Sequence, residues 1–323
     1  SIEAEGDIII EAVDDAADGP GETDDILFPC GVTIWSKEGK VSLRAGDDPI
    51  IEEGAIIKAA TVVELFGDYG NADPGVGTTI APRGQIDAPL VQIFGEADDD
   101  LFDLRDVSVP ADVSGGDGID TLIGPDSLNS WVIDDPDTGI LNGMFAFNDV
   151  ESLAGGSGDD TFYFRGEGSV RGIVDGGAGF DTLDFLQSDF IQAAADDFLV
   201  TNLPIGDEVV PFTATGGITR IEDIRVILLA EVQEDGTLVL NMGPRAAERL
   251  MPLYLEDINE EFLLYHVDGD PADLAGETIA VSAFGFTLEY EGVRAIWGSG
   301  GLGDDAIILA GDVLAPAELD GGP

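Results

Sequence analysis

Short apolar runs separated by glycine, aspartate and proline fill the first third of the chain, and they predict many short β-strands. Most of the runs are rich in β-branched residues and too short for helices. The segments 39–46 and 61–67 repeat this texture at a distance of roughly 20 residues, the length of one solenoid coil. We therefore predict loose coils of a β-solenoid over residues 1–110. The runs lie at 8–10, 32–34, 41–43, 62–65 and 91–94.

A glycine-rich phrase of nine residues organises the middle of the chain. It reads GGDGIDTLI at 115–123, GGSGDDTFY at 155–163 and GGAGFDTLD at 176–184, and weaker copies begin at Gly95 and Gly300. The underlying frame, G-G-x-G-x-D-x-U-x, is the calcium-binding nonapeptide of parallel β-rolls. We predict an all-β fold with a right-handed parallel β-helix whose glycine-rich turns bind calcium over 111–186.

The spacing of the copies predicts how the turns stack. Their first glycines fall at positions 95, 115, 155, 176 and 300, so two steps are 20 and 21 residues and the step between them is about twice as long. A coil takes roughly 20 residues, and neighbouring coils lie about 4.8 Å apart. We therefore expect Asp100 to stack on Asp120 and Asp160 to stack on Asp181, with each pair sharing one cation.

The residue types in the turns favour Ca²⁺. Glycines turn the backbone through positive φ and bring carbonyl oxygens towards one point, and a hard cation needs several oxygens at once. The alternative is that the turns are only corners of the solenoid, with solvated aspartates. The predicted ligands are the sixth-position aspartates Asp100, Asp120, Asp160, Asp181 and Asp305, together with Gly115, Gly118, Gly155, Gly158, Gly176 and Gly179.

From residue 187 to residue 297 the chain no longer shows the pattern of short apolar runs and glycine-rich turns. Residues 278–283 and 286–290 alternate well and predict a hairpin about Phe284 and Gly285, and Pro244 marks the first turn of a short helix. The run of alanines at 193–195 indicates a second short helix or an irregular loop. We predict an antiparallel β insert or a small β-sandwich over 187–297, followed over 298–323 by a glycine turn that returns to the solenoid. The last residues read like the start of another copy, so we expect the chain to be a section of a longer repetitive protein.

The composition of the chain argues against several classes of protein. The chain carries 66 acidic and 13 basic residues, a net charge of −53, and this charge would repel nucleic acid. Apolar residues make up 44%, more than disordered chains carry. No run approaches the roughly 18 apolar residues of a membrane span. Divalent cations or high salt are the natural compensation for such a charge.

The single cysteine and the single histidine leave little room for catalysis. Cys30 cannot form a disulfide within the chain, and we expect a buried structural thiol. His266 lies inside an apolar strand and is expected to be structural. Interior aromatic residues are expected to form core rather than a ligand platform. These are Trp131, Phe145, Phe147, Phe162, Phe164 and Phe185.

The five glycine turns and the stretch GDYGNADPGVGTTI at 67–80 resemble large secreted bacterial proteins with hemolysin-type (RTX-like) calcium-binding repeats, of the adhesin or filamentous surface type. The segments 241–249 and 281–286 also resemble sequences of such proteins. This resemblance implies secretion, calcium-dependent folding and a structural or adhesive role. The chain departs from the family because its nonapeptides stand singly rather than in tandem runs.

The sequence thus predicts a non-enzymatic extracellular or cell-surface structural protein: a filament, surface-layer, matrix or adhesin-stalk segment. Its expected partners are calcium and further copies or segments of a repetitive chain, with a surface glycan or protein ligand left open. The alternative is a carbohydrate-binding or glycan-modifying β-helix, and an aromatic-lined or basic groove would favour it.

Overall fold

The computed structural model describes residues 1–12, 24–70, 75, 77–200, 204–249 and 259–322. Strands dominate this part of the chain, which confirms the prediction of an all-β fold. The helical segments are α1 (Ile191–Val200) and a 3₁₀ helix at Gly243–Arg249. The strands, numbered in chain order, are β1 (Ile2–Ala4), β2 (Ile8–Glu11), β3 (Ile26–Phe28), β4 (Thr33–Ser36), β5 (Val41–Arg44), β6 (Pro49–Ile51), β7 (Ile56–Ala59), β8 (Val63–Phe66), β9 (Thr79–Ile80), β10 (Gln85–Asp87), β11 (Val91–Glu96), β12 (Leu101–Asp103), β13 (Ala111–Gly116), β14 (Thr121–Ile123), β15 (Ser130–Asp135), β16 (Thr138–Leu141), β17 (Phe145–Asn148), β18 (Ser152–Ala154), β19 (Thr161–Gly166), β20 (Ile173–Asp175), β21 (Thr182–Ser188), β22 (Gly217–Thr219), β23 (Asp223–Arg225), β24 (Ala230–Val232), β25 (Thr237–Leu240), β26 (Glu261–Asp270), β27 (Gly276–Ala283), β28 (Phe286–Val293), β29 (Ala295–Ser299), β30 (Ala306–Leu309) and β31 (Ala317–Asp320).

The chain divides into two compact units. The first comprises Ser1–Phe190 and Val200–Ile224, and the second comprises Ile191–Leu199 and Arg225–Pro323. The segments 1–110 and 111–186, which differ in sequence texture, both lie in the first unit. No helix in the described part of the chain is long and apolar enough to cross a membrane.

Parallel sheets make up the first unit. The large sheet has the strand order β2-β5-β8-β11-β13-β17-β16-β15-β19-β21-β23, and the six-stranded sheet has the order β22-β20-β18-β14-β12-β9. Two smaller sheets have the orders β1-β4-β7-β10 and β3-β6. Successive strands pair in register, so that Val41, Val63 and Val91 face one another. All three are fully buried, and the repeated apolar runs therefore stack into continuous core columns.

The predicted interior aromatics are confirmed as core. Trp131 stacks on Phe162 with ring centroids 5.5 Å apart, and Phe164 stacks on Phe185 at 4.6 Å. All six are at most 2% exposed. Register places these rings on neighbouring parallel strands, so each ring covers the next.

The step of 40 residues from Gly115 to Gly155 contains a strand reversal. β16 runs antiparallel to both β15 and β17 within the large sheet. The turns at 95–100 and 115–120 follow strands of the large sheet, whereas the turns at 155–160 and 176–181 precede such strands. Because those strands all run the same way, the two pairs of turns lie at opposite ends of the large sheet's strands.

The second unit contains two four-stranded sheets, β24-β25-β29-β31 and β28-β27-β26-β30. The predicted hairpin is confirmed, because β27 and β28 are antiparallel and Phe284 and Gly285 take φ values of 55° and 88° at its turn. β26 and β30 pair in parallel, as do β29 and β31. The short helix expected near Pro244 is the 3₁₀ helix.

Cys30 is exposed rather than buried, because it lies in the turn after β3 and donates its N–H to the side chain of Glu52. Residues 71–74 and 76 of the stretch at 67–80 lie outside the described residues.

Candidate metal-binding turns

The candidate site is a set of three carboxylate ladders. We define a carboxylate ladder as a series of residues, each directly before a strand or at the first residue of a helix, in which an acidic side chain accepts the backbone N–H of the equivalent residue on the neighbouring element. Hydrogen bonds from backbone N–H groups to a carboxylate are charge-assisted and strong. The ladders arise because parallel strands in register bring equivalent positions together.

The first carboxylate ladder comprises Thr78, Asp100, Asp120 and Glu151, which precede the strands β9, β12, β14 and β18 of the six-stranded sheet. The N–H of Thr78 donates to Oδ1 of Asp100 at 2.6 Å, and the N–H of Asp100 donates to Oδ1 of Asp120 at 2.9 Å. The N–H of Asp120 donates to Oε2 of Glu151 at 2.8 Å. The structure therefore brings Asp100 and Asp120 together, as their spacing predicts.

The second carboxylate ladder comprises Asn129, Asp160, Asp181 and Glu222, which precede the strands β15, β19, β21 and β23 of the large sheet. The N–H of Asn129 donates to Oδ1 of Asp160 at 2.7 Å, and the N–H of Asp160 donates to Oδ1 of Asp181 at 2.8 Å. The N–H of Asp181 donates to Oε2 of Glu222 at 2.7 Å. The predicted pairing of Asp160 with Asp181 is thus also present.

The third carboxylate ladder lies in the second unit and comprises Gly243, Glu260 and Asp305. The N–H of Gly243 donates to Oε2 of Glu260 at 2.6 Å, and the N–H of Glu260 donates to Oδ1 of Asp305 at 2.9 Å. Asp305 therefore neighbours a glutamate that no glycine phrase precedes, rather than a second nonapeptide.

The second carboxylate oxygen of each nonapeptide aspartate is the feature that points to a ligand. These oxygens are buried and accept no hydrogen bond from the described residues. A buried polar atom without a partner costs free energy comparable to a lost hydrogen bond or more. The atoms are Oδ2 of Asp100, Asp120, Asp160, Asp181 and Asp305.

Beside the first glycine of each turn, the unpartnered carboxylate oxygen and a backbone carbonyl oxygen of a neighbouring segment lie at the same small space. A Cβ atom added to Gly155 would lie 2.2 Å from Oδ2 of Asp160 and 2.3 Å from the carbonyl oxygen of Gly176. The first glycine thus leaves open the small space in which a carboxylate oxygen and a carbonyl of the next turn converge. The same arrangement recurs at Gly95, Gly115, Gly176 and Gly300.

The electrostatics of the ladders agree with this geometry. Burial raises the pKa of Asp100 to about 8, and neighbouring carboxylates, including Asp120, add to the effect. Burial likewise raises the pKa of Asp120 and of Asp160 to about 7, and that of Asp181 to about 6. Hydrogen bonds from backbone N–H groups oppose these pKa shifts without cancelling them. In the absence of a cation, the carboxyl group of Asp100 therefore holds a proton at neutral pH, those of Asp120 and Asp160 titrate near neutral pH, and that of Asp181 is mostly ionised there.

The turn beginning at Gly95 keeps the nonapeptide conformation although it lacks two of the glycines. Glu96 has a φ of 75° and Asp98 a φ of 67°, and Glu96 pairs in register with Gly116. A residue with a Cβ atom pays about 1–2 kcal/mol for such a left-handed conformation. The tertiary register therefore imposes the turn on residues that disfavour it.

Each residue of a carboxylate ladder is called a rung. Two of the glutamate rungs form ion pairs with an arginine of the same chain. Arg171 pairs with Oε1 of Glu151 through Nη2 and with Oδ2 of Asp137 through Nε, the latter at 2.6 Å. In the second unit, Arg249 and Glu260 form a fully buried ion pair at 2.5 Å. The arginine takes the oxygen that is left unpartnered in the aspartate rungs, so these rungs need no external ion.

Sequence reasoning missed Glu151, Glu222 and Glu260 because no glycine phrase precedes them. A different signal marks every acidic rung: an acidic residue, one residue of any type, and then a large apolar residue. That apolar residue is almost completely buried in every rung except Asp305, whose Ile307 is half-buried, and where it is buried it anchors the strand whose first residue follows the acid. The anchors are Phe102, Leu122, Leu153, Phe162, Leu183, Ile224 and Phe262.

The ladders contribute one carboxylate per rung. Among the described residues, no three His, Cys, Asp or Glu side chains form a group of the kind that holds a metal. Any ion in these turns would therefore depend on backbone carbonyls for further oxygens, and Gly115 and Gly176 present theirs at the open spaces. Gly118, Gly158 and Gly179 take positive φ and shape the turns. His266 lies apart from the ladders, with Nδ1 2.9 Å from Oε1 of Glu277.

Comparison of the chain with protein-family models, with curated proteins and with solved structures finds no match. The geometry of the ladders is therefore the basis on which a function is proposed.

Proposed function

We propose that this chain is a calcium-stabilised, non-catalytic structural segment of a secreted or cell-surface repeat protein. In this proposal its parallel sheets wind as a right-handed β-solenoid with RTX-like turns. The main observation in support is that the five nonapeptide aspartates each hold a buried oxygen that faces a backbone carbonyl of a neighbouring segment and has no partner among the described residues. Ca²⁺ takes six to eight oxygens from carboxylates and carbonyls, which are the groups present here.

A proton is the competing occupant of each open space. A protonated Oδ2 would donate to the facing carbonyl and would satisfy both atoms without a metal. The net charge of −53 favours the divalent cation, because each bound ion also relieves repulsion across the whole chain. Sites of this type suit the millimolar calcium found outside cells. Other segments of a repetitive chain, or other copies of it, are the proposed protein partners.

Thermal unfolding with calcium or with chelator tests the proposal, using Asp160→Asn as the informative variant. Asparagine keeps the Oδ1 acceptor for Asn129 and places an amide N–H opposite the carbonyl of Gly176. Calcium at a hundred times its dissociation constant is expected to stabilise the wild type by about 2.7 kcal/mol for each occupied site. Asp160→Asn is expected to lose one such increment while remaining at least as stable as the wild type in chelator.

Asp106→Asn is the matched control, because Asp106 is exposed and lies outside the ladders. It should respond to calcium as the wild type does. The proton alternative predicts that calcium has no effect on the wild type and that Asp160→Asn stabilises the chain equally in both conditions. That result, together with absence of calcium binding by calorimetry at millimolar concentration, would overturn the proposal.

A further inference from the structure

A groove on the outer face of the large sheet is the most distinctive surface feature outside the ladders. It has a volume of about 560 Å³ and is lined by side chains of β11, β13 and β17 and by the start of β16. Alternate residues of these strands are buried, so the residues between them point outwards. A volume of this size is within the range of small-ligand sites, roughly 300–1,000 Å³.

The groove forms where a row of large outward-facing side chains on neighbouring strands ends at a small side chain. Register aligns Arg44, Phe66, Phe94, Ser114 and Asn148 in one row across five strands. The rings of Phe66 and Phe94 are stacked with centroids 4.5 Å apart and planes 13° apart, and the guanidinium of Arg44 lies 5.7 Å from the centre of Phe66. The next position is serine, so the far face of the Phe94 ring has no side chain of comparable size against it.

Polar groups surround this open ring face. The hydroxyl of Ser114 donates to Oδ1 of Asn148 at 3.1 Å, and the amide of Asn148 donates to the carbonyl of Val113 at 3.2 Å. Gln92 and Asp112 pair in register beside them on the same outer face. Amide, hydroxyl and carboxylate groups together provide both donors and acceptors for ligand hydroxyl groups.

We propose that this groove binds a neutral sugar residue, with one face of the pyranose ring on Phe94 and the sugar hydroxyls on Gln92, Asp112 and Asn148. A pyranose ring combines an apolar C–H face with a rim of hydroxyls, and the groove combines one open aromatic face with a polar rim. The charge argues against an anionic ligand, since the described groove lining holds one carboxylate and no basic side chain in a chain of net charge −53. The site is separate from the ladders and does not depend on the calcium proposal.

Binding to a panel of immobilised oligosaccharides tests this proposal, followed by calorimetry in millimolar calcium. The panel contains neutral gluco-, manno- and galacto-oligosaccharides, with an oligogalacturonate as the anionic probe and spermidine as the cationic probe. At least one neutral oligosaccharide is expected to bind. Phe94→Ala should weaken it about two- to tenfold, since one aromatic contact contributes about 0.5–1.5 kcal/mol.

Ser114→Phe should abolish binding, because it extends the ring stack into the open slot. Tyr163→Ala is the matched control: Tyr163 is an outward-facing aromatic of β19 on the same sheet, away from the groove. Circular dichroism verifies the fold of every variant, and Ser114→Phe, which adds a ring instead of removing one, keeps the test decisive if Phe94→Ala unfolds. Failure of every neutral oligosaccharide at millimolar concentration would overturn the proposal. So would binding of only the oligogalacturonate or spermidine, or equal affinity in the wild type and in both groove variants.

Discussion

A single carboxylate oxygen distinguishes the two kinds of rung in the ladders. In an aspartate rung, Oδ1 accepts a backbone N–H while Oδ2 is buried without a partner among the described residues. In the glutamate rung at Glu151, the longer side chain reaches the guanidinium of Arg171, and both of its oxygens are satisfied. At Glu151, an arginine within reach of the longer side chain therefore supplies the cation that the aspartate rungs lack.

Residue identity also sets the local strain in the turn that begins at Gly95. Glu96→Gly is expected to raise the free energy of unfolding by up to about 1 kcal/mol, because glycine takes positive φ without the cost that a Cβ atom imposes. Glu96→Ala is the matched control, since it removes the same charge but retains the Cβ atom. Urea unfolding of the two variants measures the difference.

The comparison separates conformation from electrostatics. If the alanine variant gains as much stability as the glycine variant, relief of charge rather than of strain is responsible. The φ of 75° at Glu96 would then contribute nothing measurable to the stability of the fold.

At the scale of the element, the nonapeptide turn depends on its first glycine. Gly155→Ala is expected to destabilise the chain by about 2 kcal/mol or more, because the new methyl group would overlap both Oδ2 of Asp160 and the carbonyl of Gly176. Calcium is expected to recover little of this loss, since the methyl group fills the space proposed for the ion. Calorimetric unfolding with and without calcium measures both effects.

Gly206→Ala is the control for that substitution. A Cβ atom at Gly206 meets no atom within 4 Å, and its φ is outside the left-handed range. Because alanine restricts the unfolded chain, Gly206→Ala is expected to be neutral or slightly stabilising. An equal loss of stability in the two variants would show that the open space in the turn does not explain the effect.

The sequence predicts the turns better than it predicts their arrangement. The nonapeptide frame locates the turns themselves, and the steps of 20 and 21 residues correctly pair Asp100 with Asp120 and Asp160 with Asp181. The step of 40 residues gives no sign of the reversed strand, β16, that lies within it. Glu151 was missed because strand register, which glycine spacing does not report, brings it onto the ladder.

At the scale of the whole molecule, the buried carboxyl groups make stability depend on pH in a defined direction. The pKa values of Asp100, Asp120, Asp160 and Asp181 are raised from 3.8 to between about 6 and about 8. Between pH 3.8 and about 8, the folded chain therefore holds more protons on these aspartates than the unfolded chain does. The free energy of unfolding therefore falls as pH rises through this window.

We expect the unfolding midpoint in chelator to rise as the pH is lowered from about 8 to about 5, with each group contributing at most about 1.4 kcal/mol per pH unit. Calcium should reduce this dependence, because the ion stabilises the ionised form. Thermal unfolding across the pH range measures the slope. A variant with all four aspartates replaced by asparagine should lose most of it.

General charge repulsion predicts a slope of the same sign, so a charge-matched control is required. Replacement of four exposed aspartates removes the same charge and should leave the slope largely intact. Equal flattening by both quadruple variants would contradict the ladder explanation. The exposed set is Asp106, Asp117, Asp134 and Asp135.

The ladders have a mechanical consequence within the first unit. Their hydrogen bonds run from one strand to the next, in the same direction as the ladder of backbone hydrogen bonds in each parallel sheet. A force that pulls neighbouring strands apart therefore loads both sets of bonds together. An ion held between Oδ2 and the facing carbonyl would add a third cross-link in that direction. The rupture force between rungs would then be set by the calcium concentration around the protein, so that the stiffness of the segment follows its surroundings without any change in fold.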